Sequence, residues 1–350
     1  MKLEGQANRI PGWLVFLVIA VGGLFYVKWD PYFHRTFVAA STHSIGKSIL
    51  MGSEAHPPAP SWEAATGYAL AYGKAIWQAM VLGLLLGSAV QALLPRRWIE
   101  RSLGKAGLGS VARGALLAIP GMMCTCCAAP VVVGLRKANA SPGGAVAFWL
   151  GNSVLNPATL IFMGFVLGWQ WSALRVVLGV LAVFGVAMLA NWMVSPGEAE
   201  AANRELEALS TDEPADGMFR RWLDILWRMA VRLIPEYVVL VLLLGAARAW
   251  LFPHAGPDID NSLAWIIAFA VAGTLFVIPT AGEVPIVQAM LLLGVGAGPA
   301  AALMMVLPPI SVPSLAIVSR SFHWRMLAAI TGAIVAFGIA AGLLAVLLGF

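Results

Sequence analysis

Long apolar stretches with very few charged residues follow one another along this chain, and they restrict its fold more than any other feature. Of the 350 residues, 60% are hydrophobic and 11% are charged, whereas soluble domains carry about 25% charged residues. We expect the charges to lie in a few short loops, because a charge at the centre of a bilayer costs several kcal/mol. The sequence therefore predicts an all-α polytopic membrane protein, since helices pair their own backbone groups in lipid.

The first apolar run, Gly12–Val27, is long for the apolar part of a signal peptide, and no clear cleavage site follows it. We interpret it as a retained membrane helix. The formal net charge is +5, but the sequence contains no basic cluster that would favour nucleic acid.

The chain also contains an internal repeat. Leu84–Pro95, LLLGSAVQALLP, matches Leu242–Pro253, LLLGAARAWLFP, and Ser141–Leu150 matches Gly298–Leu307. Shared glycine and proline positions favour a true repeat over two similarly apolar segments. The predicted units are an N-terminal helix with an outer loop (1–65), a first membrane repeat (66–194), a cytoplasmic linker with a surface helix from Met218 to Arg232 (195–230), and a second membrane repeat (231–350).

Each repeat contains an apolar segment that prolines interrupt. Around Pro120, the flanking pieces Ser110–Ile119 and Cys124–Leu135 are shorter than the roughly 20 residues that a span needs. Ile278–Pro285, IPTAGEVP, is the corresponding break in the second repeat. We predict a broken, re-entrant helical hairpin in each repeat. A full span stays open as the alternative, above all for the longer arm Leu263–Ile278.

Basic residues cluster in three loops, whose members are Arg96, Arg97, Arg101 and Lys105, then Arg204, Arg220, Arg221 and Arg228, then Arg320 and Arg325. Because basic loops are cytoplasmic, all three agree only if the two repeats have inverted topology and the N-terminus is inside. Lys28, Arg35 and Lys47, in the first outer loop, count against this orientation. Inverted repeats with broken helices are typical of secondary transporters, whose substrate site lies near the midplane, where the breaks meet.

All three cysteines of the chain, Cys124, Cys126 and Cys127, lie at the first break. Thiolates select soft metal ions, so closely spaced thiols indicate a site for such an ion or for a thiol-reactive metalloid. The alternatives are small side chains that pack at a crowded turn, and a C-x-x-C redox pair formed by Cys124 and Cys127.

Glu283 lies at the second break, and a carboxylate inside a membrane is by default a candidate for proton transfer. It could equally cap the N-terminus of a half-helix. Glu236 is the second proton-coupling candidate, or else an i, i+4 partner of Arg232. The polar candidates for substrate binding are Asn152, Ser153, Asn156, Thr280 and Ser311, although such residues often only join helices.

The run CTCCAAPVVVGLRKANASPGGAVAFWLGNSVLNP resembles the signature of the ArsP-type and YraQ-like bacterial predicted permeases, whose best-known branch exports trivalent organoarsenicals. The Cys-Ser-Cys element of that family corresponds to Cys124–Cys126, its Leu-Arg-Lys run to Leu135–Gly143, and its Pro-x-x-x-Glu element to Pro279–Glu283. Here Thr125 replaces serine and Cys127 adds a third thiol. The resemblance covers about residues 70–345 and implies a permease for such arsenicals.

We therefore expect a permease of the bacterial inner membrane, rather than an enzyme, that exports a thiol-reactive metalloid or soft-metal species by proton antiport. A permease for another small solute or a sulfur-containing anion is the alternative, and a membrane thiol oxidoreductase is a further one. No cofactor is expected. The expected partners are the lipid bilayer and the small substrate, with a homodimer left open and nucleic acid not expected.

Overall fold

The computed structural model describes residues 11–49, 58–194, 217–251 and 256–350. All regular secondary structure in these ranges is helical. Most of the predicted linker, residues 195–216, lies outside the described residues, as does part of the predicted outer loop. The helices are α1 (Gly12–Leu24), α2 (Asp30–Thr42), α3 (Trp62–Ala92), α4 (Arg96–Ile99), α5 (Leu108–Ala118), α6 (Thr125–Lys137), α7 (Pro142–Val154), α8 (Pro157–Val166), α9 (Trp169–Trp192), α10 (Met218–Leu251), α11 (Leu263–Leu275), α12 (Glu283–Leu292), α13 (Ala297–Val306), α14 (Val312–Val318) and α15 (Trp324–Leu347).

Six helical stretches in the described ranges are long and apolar enough to cross a membrane. They are Gly12–Thr42, Trp62–Ala92, Pro142–Val166, Trp169–Trp192, Met218–Arg248 and Trp324–Leu347. Large apolar side chains such as Trp192 and Leu347 project outward and are exposed, as expected where the surroundings are lipid. The prediction of an all-α polytopic membrane protein is therefore confirmed.

The N-terminal helix differs from the prediction at its C-terminal end. It continues from α1 through a π-helical turn, Phe25–Trp29, into α2. Lys28 therefore lies inside a helix and is buried, so its assignment to an outer loop was wrong. Single π-helical turns within α-helices are frequent at functional sites.

The helix that enters the second repeat is longer than predicted. α10 runs without a break from Met218 through Pro235 to Leu251. The predicted surface helix and the predicted span that follows it are therefore one helix.

The two halves of the bundle repeat the same order of elements. A long helix (α3 or α10) precedes two short helices (α5 and α6, or α11 and α12), two more short helices (α7 and α8, or α13 and α14) and a closing helix (α9 or α15). Contacts recur in the same way, since α6 packs on α14 as α12 packs on α8. This pattern is consistent with a repeat, and the inverted orientation of the halves stays a prediction.

Both predicted breaks are present. α5 and α6 have 11 and 13 residues, and α11 and α12 have 13 and 10, so each is shorter than the roughly 20 residues of a span. Met122 and Ala281, one in each break, have left-handed backbone conformations with φ of 46° and 64°. The arm predicted to reach Ile278 already ends at Leu275. Asn156 and Pro157 likewise divide the apolar stretch Pro142–Val166 into α7 and α8.

Backbone contact between α3 and α6 places the first break in the interior. A Cβ atom added at Gly83 would lie 2.2 Å from the Cys127 carbonyl oxygen, and one at Gly87 would lie 2.5 Å from that of Pro130. Small residues four positions apart allow membrane helices to approach this closely. The helix that carries the cysteines therefore rests directly on the backbone of α3.

We expect Gly83→Ala to lower stability and to displace the cysteine-bearing helix, because overpacking of a tight contact costs about 1–3 kcal/mol. The measurement is the thermal unfolding midpoint of the purified protein in detergent. Gly73→Ala is the matched control, since it lies in the same helix and its added Cβ has no neighbour within 4 Å. Equal midpoints for the two variants would contradict the contact.

Candidate substrate site

The three thiols form one cluster at the N-terminus of α6. The Cys124 sulfur lies 3.0 Å from that of Cys126 and 2.8 Å from that of Cys127, and Cys126 and Cys127 are 3.9 Å apart. All three side chains are buried and free. Because the sulfur atoms lie within 4.8 Å of one another, one soft atom could contact all of them.

Three tyrosines, which the sequence analysis did not select, surround this cluster. The Tyr72 hydroxyl lies 3.2 Å from the Cys126 sulfur and 2.6 Å from the Tyr237 hydroxyl. Tyr68 stacks on Tyr72 and donates a hydrogen bond to the carbonyl of Val277, in the second break. Aromatic side chains from α3 and α10 thus connect the thiols of one half with the break of the other.

Glu283 is the first residue of α12 and is 1% exposed. Its carboxylate accepts a hydrogen bond of 2.7 Å from the guanidinium of Arg175, which is 0% exposed and lies within α9. The guanidinium also donates to the carbonyls of Ser153 at 2.7 Å and Val154 at 3.1 Å. This ion pair joins the two halves of the protein.

The expectation that charges are confined to loops was wrong for Arg175. The desolvation cost of the pair is offset in part because each ion faces the opposite charge and carbonyl groups accept further hydrogen bonds from the guanidinium. The signal in the sequence was a single arginine within the apolar run from Trp169 to Gly179.

A small cavity separates the thiols from this ion pair. Its volume is about 10 Å³, close to the least that holds one water molecule. Both halves line it, and the lining residues are Met123, Cys124, Ser153, Thr159, Ile278, Pro279, Thr280, Ala281, Glu283 and Pro308. Of the predicted site residues, the structure thus brings Cys124, Ser153, Thr280 and Glu283 together around one space.

Lys28 extends from the N-terminal helix to the edge of this cavity. Its ammonium group donates hydrogen bonds to the Thr280 hydroxyl at 3.0 Å and to the Tyr32 hydroxyl at 3.2 Å. The side chain is buried in the protein, with the residue 4% exposed. A buried lysine therefore joins the site from outside the two halves.

Three predicted polar residues have structural contacts. Asn156 accepts hydrogen bonds from the backbone of Ala158 and Thr159 and so caps α8. Ser311 and Ser314 form a capping box at the start of α14. Asn152 accepts a bond of 3.4 Å from the Met123 backbone, beside the cavity. That these residues contact a substrate stays a prediction.

Glu236 lies away from the cavity. It pairs with Arg320 at 2.5 Å, and both side chains are more than a third exposed. The proposed pairing of Glu236 with Arg232 was therefore wrong. A role of Glu236 in proton coupling stays a prediction.

Broken helices that meet at a site inside a polytopic bundle are found in membrane transporters. Residues 65–347 match the model of the ArsP_1 family, described as a predicted permease, and the chain belongs to this family. It is 50% identical over 344 residues to the UPF0718 protein YraQ of Escherichia coli (strain K12), with 97% of each chain covered. It is 20% identical over 312 residues to the UPF0718 protein MJ0584 of Methanocaldococcus jannaschii, with 69% of this chain and 84% of that protein covered. No solved structure matches the chain.

The protein is therefore a multi-pass membrane permease. Lys28 precedes the region that matches the family model.

Proposed function

We propose that this permease exports a thiol-reactive metalloid species, such as a trivalent organoarsenical, across the bacterial inner membrane in exchange for protons. The observation that carries the proposal is the cluster of three buried thiols, one of which lines the same cavity as Glu283. Soft thiolate ligands suit such a substrate, and a buried carboxylate suits proton coupling. The N-terminus would be cytoplasmic, as the basic loops predict.

The binding chemistry needs no oxidant or reductant. A trivalent organoarsenical, R–As(OH)₂, reacts with two thiols to form R–As(SR′)₂ and two water molecules. Two As–O bonds break, two As–S bonds form, and each thiol proton leaves with a hydroxide. Cys124 and Cys127, with sulfur atoms 2.8 Å apart, are the pair for this step. Cys126, 3.0 Å from Cys124, can exchange with either thiol, and water reverses the reaction on release.

Glu283 is the proposed proton carrier because its charge state is coupled to the contact between the halves. When ionised, it pairs with Arg175 at 2.7 Å. A proton on Glu283 removes one charge of this pair. The guanidinium then keeps carbonyl partners at 2.7 Å and 3.1 Å in the first half, Ser153 and Val154, but only the longer bond of 3.4 Å to Met304 in the second half. Protonation would then loosen the contact between the halves and allow the cavity to open.

The test is transport into everted inner-membrane vesicles, where export appears as uptake. We expect uptake of a trivalent methylarsenical that requires a proton gradient and stops when a protonophore is added. Arsenite, mercury(II), copper(I) and thiosulfate are compared under the same conditions, and vesicles without the protein are the control. Uptake that is indifferent to the gradient would contradict antiport, and the absence of arsenical uptake would contradict the substrate class.

The second candidate function is a permease for a sulfur-containing anion. One observation favours it, which is the buried ammonium group of Lys28 beside Thr280. Uptake of thiosulfate without uptake of the arsenical, in the same vesicles, would assign this function instead.

A further inference from the structure

Lys28 is a buried cation whose hydrogen-bond partners are uncharged. Its ammonium group donates to two hydroxyl groups, those of Tyr32 and Thr280, and lies 5.1 Å from the centre of the Tyr32 ring. Within the described segments, no carboxylate forms an ion pair with it. The thiols of Cys124 and Cys127 lie close enough to interact with this charge, but they cannot carry a negative charge once they are bonded to arsenic. Since a buried charge is costly unless it is paired, Lys28 then lacks a negative partner.

The nearest carboxylate of the site does not supply the missing charge. Glu283 already pairs with Arg175 at 2.7 Å, so these two residues together are neutral. Cys124 directly precedes α6 and Glu283 begins α12, so two helix N-termini border the cavity. Because a helix N-terminus carries partial positive charge, both ends add to the positive potential that Lys28 creates.

We propose that Lys28 makes this site specific for a substrate that carries a negatively charged group, which accepts hydrogen bonds from the Lys28 ammonium and the Thr280 hydroxyl in place of the bond between them, while the thiols hold the soft atom. The inference rests on the proposed function and names its substrate class, a thiol-reactive anion. Free cations such as copper(I) or mercury(II) are disfavoured by the same charge. Because Lys28 precedes residues 65–347, which match the family model, this selectivity belongs to the N-terminal helix.

The test compares two ligands that share one thiol-reactive arsenic group and differ by a carboxylate. These are phenylarsine oxide, which is neutral, and 4-carboxyphenylarsine oxide, which is an anion at neutral pH. Their equilibrium binding to the purified full-length protein in detergent is measured by dialysis with quantification of arsenic. We expect the anion to bind at least about tenfold more tightly, as a charge-assisted hydrogen bond in a buried site allows.

Three substitutions identify the source of the preference. Lys28→Met should lower the affinity for the anion to that for the neutral compound, whereas Lys28→Arg, which keeps the charge, should retain the preference for the anion. Lys74→Met is the matched control, because Lys74 is an exposed lysine of the membrane helix α3.

Equal affinities of the wild-type protein for the two ligands would overturn the inference without any variant. A preference for the anion that persists in Lys28→Met would overturn it as well. A loss of both affinities together in Lys28→Met would also overturn it, because Lys28 would then be structural. A protein without cysteines that binds both arsenicals as the wild type does would instead overturn the proposed function. The two failures are therefore distinguishable.

Discussion

Replacing Cys124, Cys126 and Cys127 together with serine is expected to abolish transport of a trivalent organoarsenical. Serine nearly preserves the shape of each side chain but removes the soft ligand that arsenic requires. The three sulfur atoms lie within 4.8 Å of one another, so the wild-type protein can hold one arsenic through at least two bonds. Loss of a second attachment point lowers the affinity for arsenic by about 10²–10⁴-fold, and the triple variant has no thiol left to bind arsenic.

The measurement is uptake into everted vesicles, together with arsenic binding to the purified protein. Met123→Leu is the matched control, because Met123 also lines the cavity and leucine keeps its volume while removing the sulfur. It should leave uptake nearly unchanged. Among single variants, Cys124→Ser should be the most damaging, since Cys124 is the thiol that lies closest to both others. Undiminished uptake by the triple variant would exclude a thiol site.

Arg175→Met is expected to destabilise the protein strongly, because it leaves Glu283 buried without its cation. Breaking a buried ion pair by removing one partner costs about 3–5 kcal/mol. Both residues are at most 1% exposed, so water cannot take the place of the guanidinium. The measurement is the thermal unfolding midpoint in detergent. The double variant Arg175→Met with Glu283→Gln should recover part of this loss, since no isolated charge remains.

Transport measurements should distinguish the stabilising role of the Arg175–Glu283 ion pair from the proposed role of Glu283 in proton transfer. Glu283→Gln keeps a similar shape but cannot carry a proton, so we expect uptake that no longer depends on the proton gradient. Arg320→Met is the matched control for a broken ion pair. Glu236, the partner of Arg320, is more than a third exposed. Loss of this ion pair should therefore lower the free energy of unfolding by at most about 1 kcal/mol. A gradient dependence in Glu283→Gln equal to that of the wild type would exclude this carboxylate as the proton carrier.

Local features of the sequence were sufficient to predict the breaks and the proximity of the three cysteines. Pro120 and Pro279 interrupt apolar segments, and a proline removes a backbone donor and clashes with the preceding turn. The proximity of the three cysteines could be predicted without knowing the fold, because residues adjacent in sequence are close in any conformation. The family resemblance was confirmed for the same reason, since its motifs are short and contiguous.

The ion pair and the contribution of Lys28 could not be predicted in this way. Arg175 and Glu283 are 108 positions apart, and Lys28 and Thr280 are 252 apart, so only the packing of distant helices brings them together. Lys28 was assigned to a loop because the first apolar run ends just before it, at Val27. The structure instead continues the helix through this region, and the buried lysine donates hydrogen bonds to two hydroxyl groups.

The direct backbone contact of α3 with α6 bears on which part of the permease moves. With glycines at 83 and 87 facing the carbonyls of Cys127 and Pro130, no flexible side chain lies between the two helices to absorb sliding. The helix pair α3 and α6, which holds the sulfur ligands, is therefore expected to move as one rigid unit. The opposite wall of the cavity is irregular backbone from Phe276 to Gly282. We expect a solute to gain access when this irregular segment moves and the helix pair stays in place.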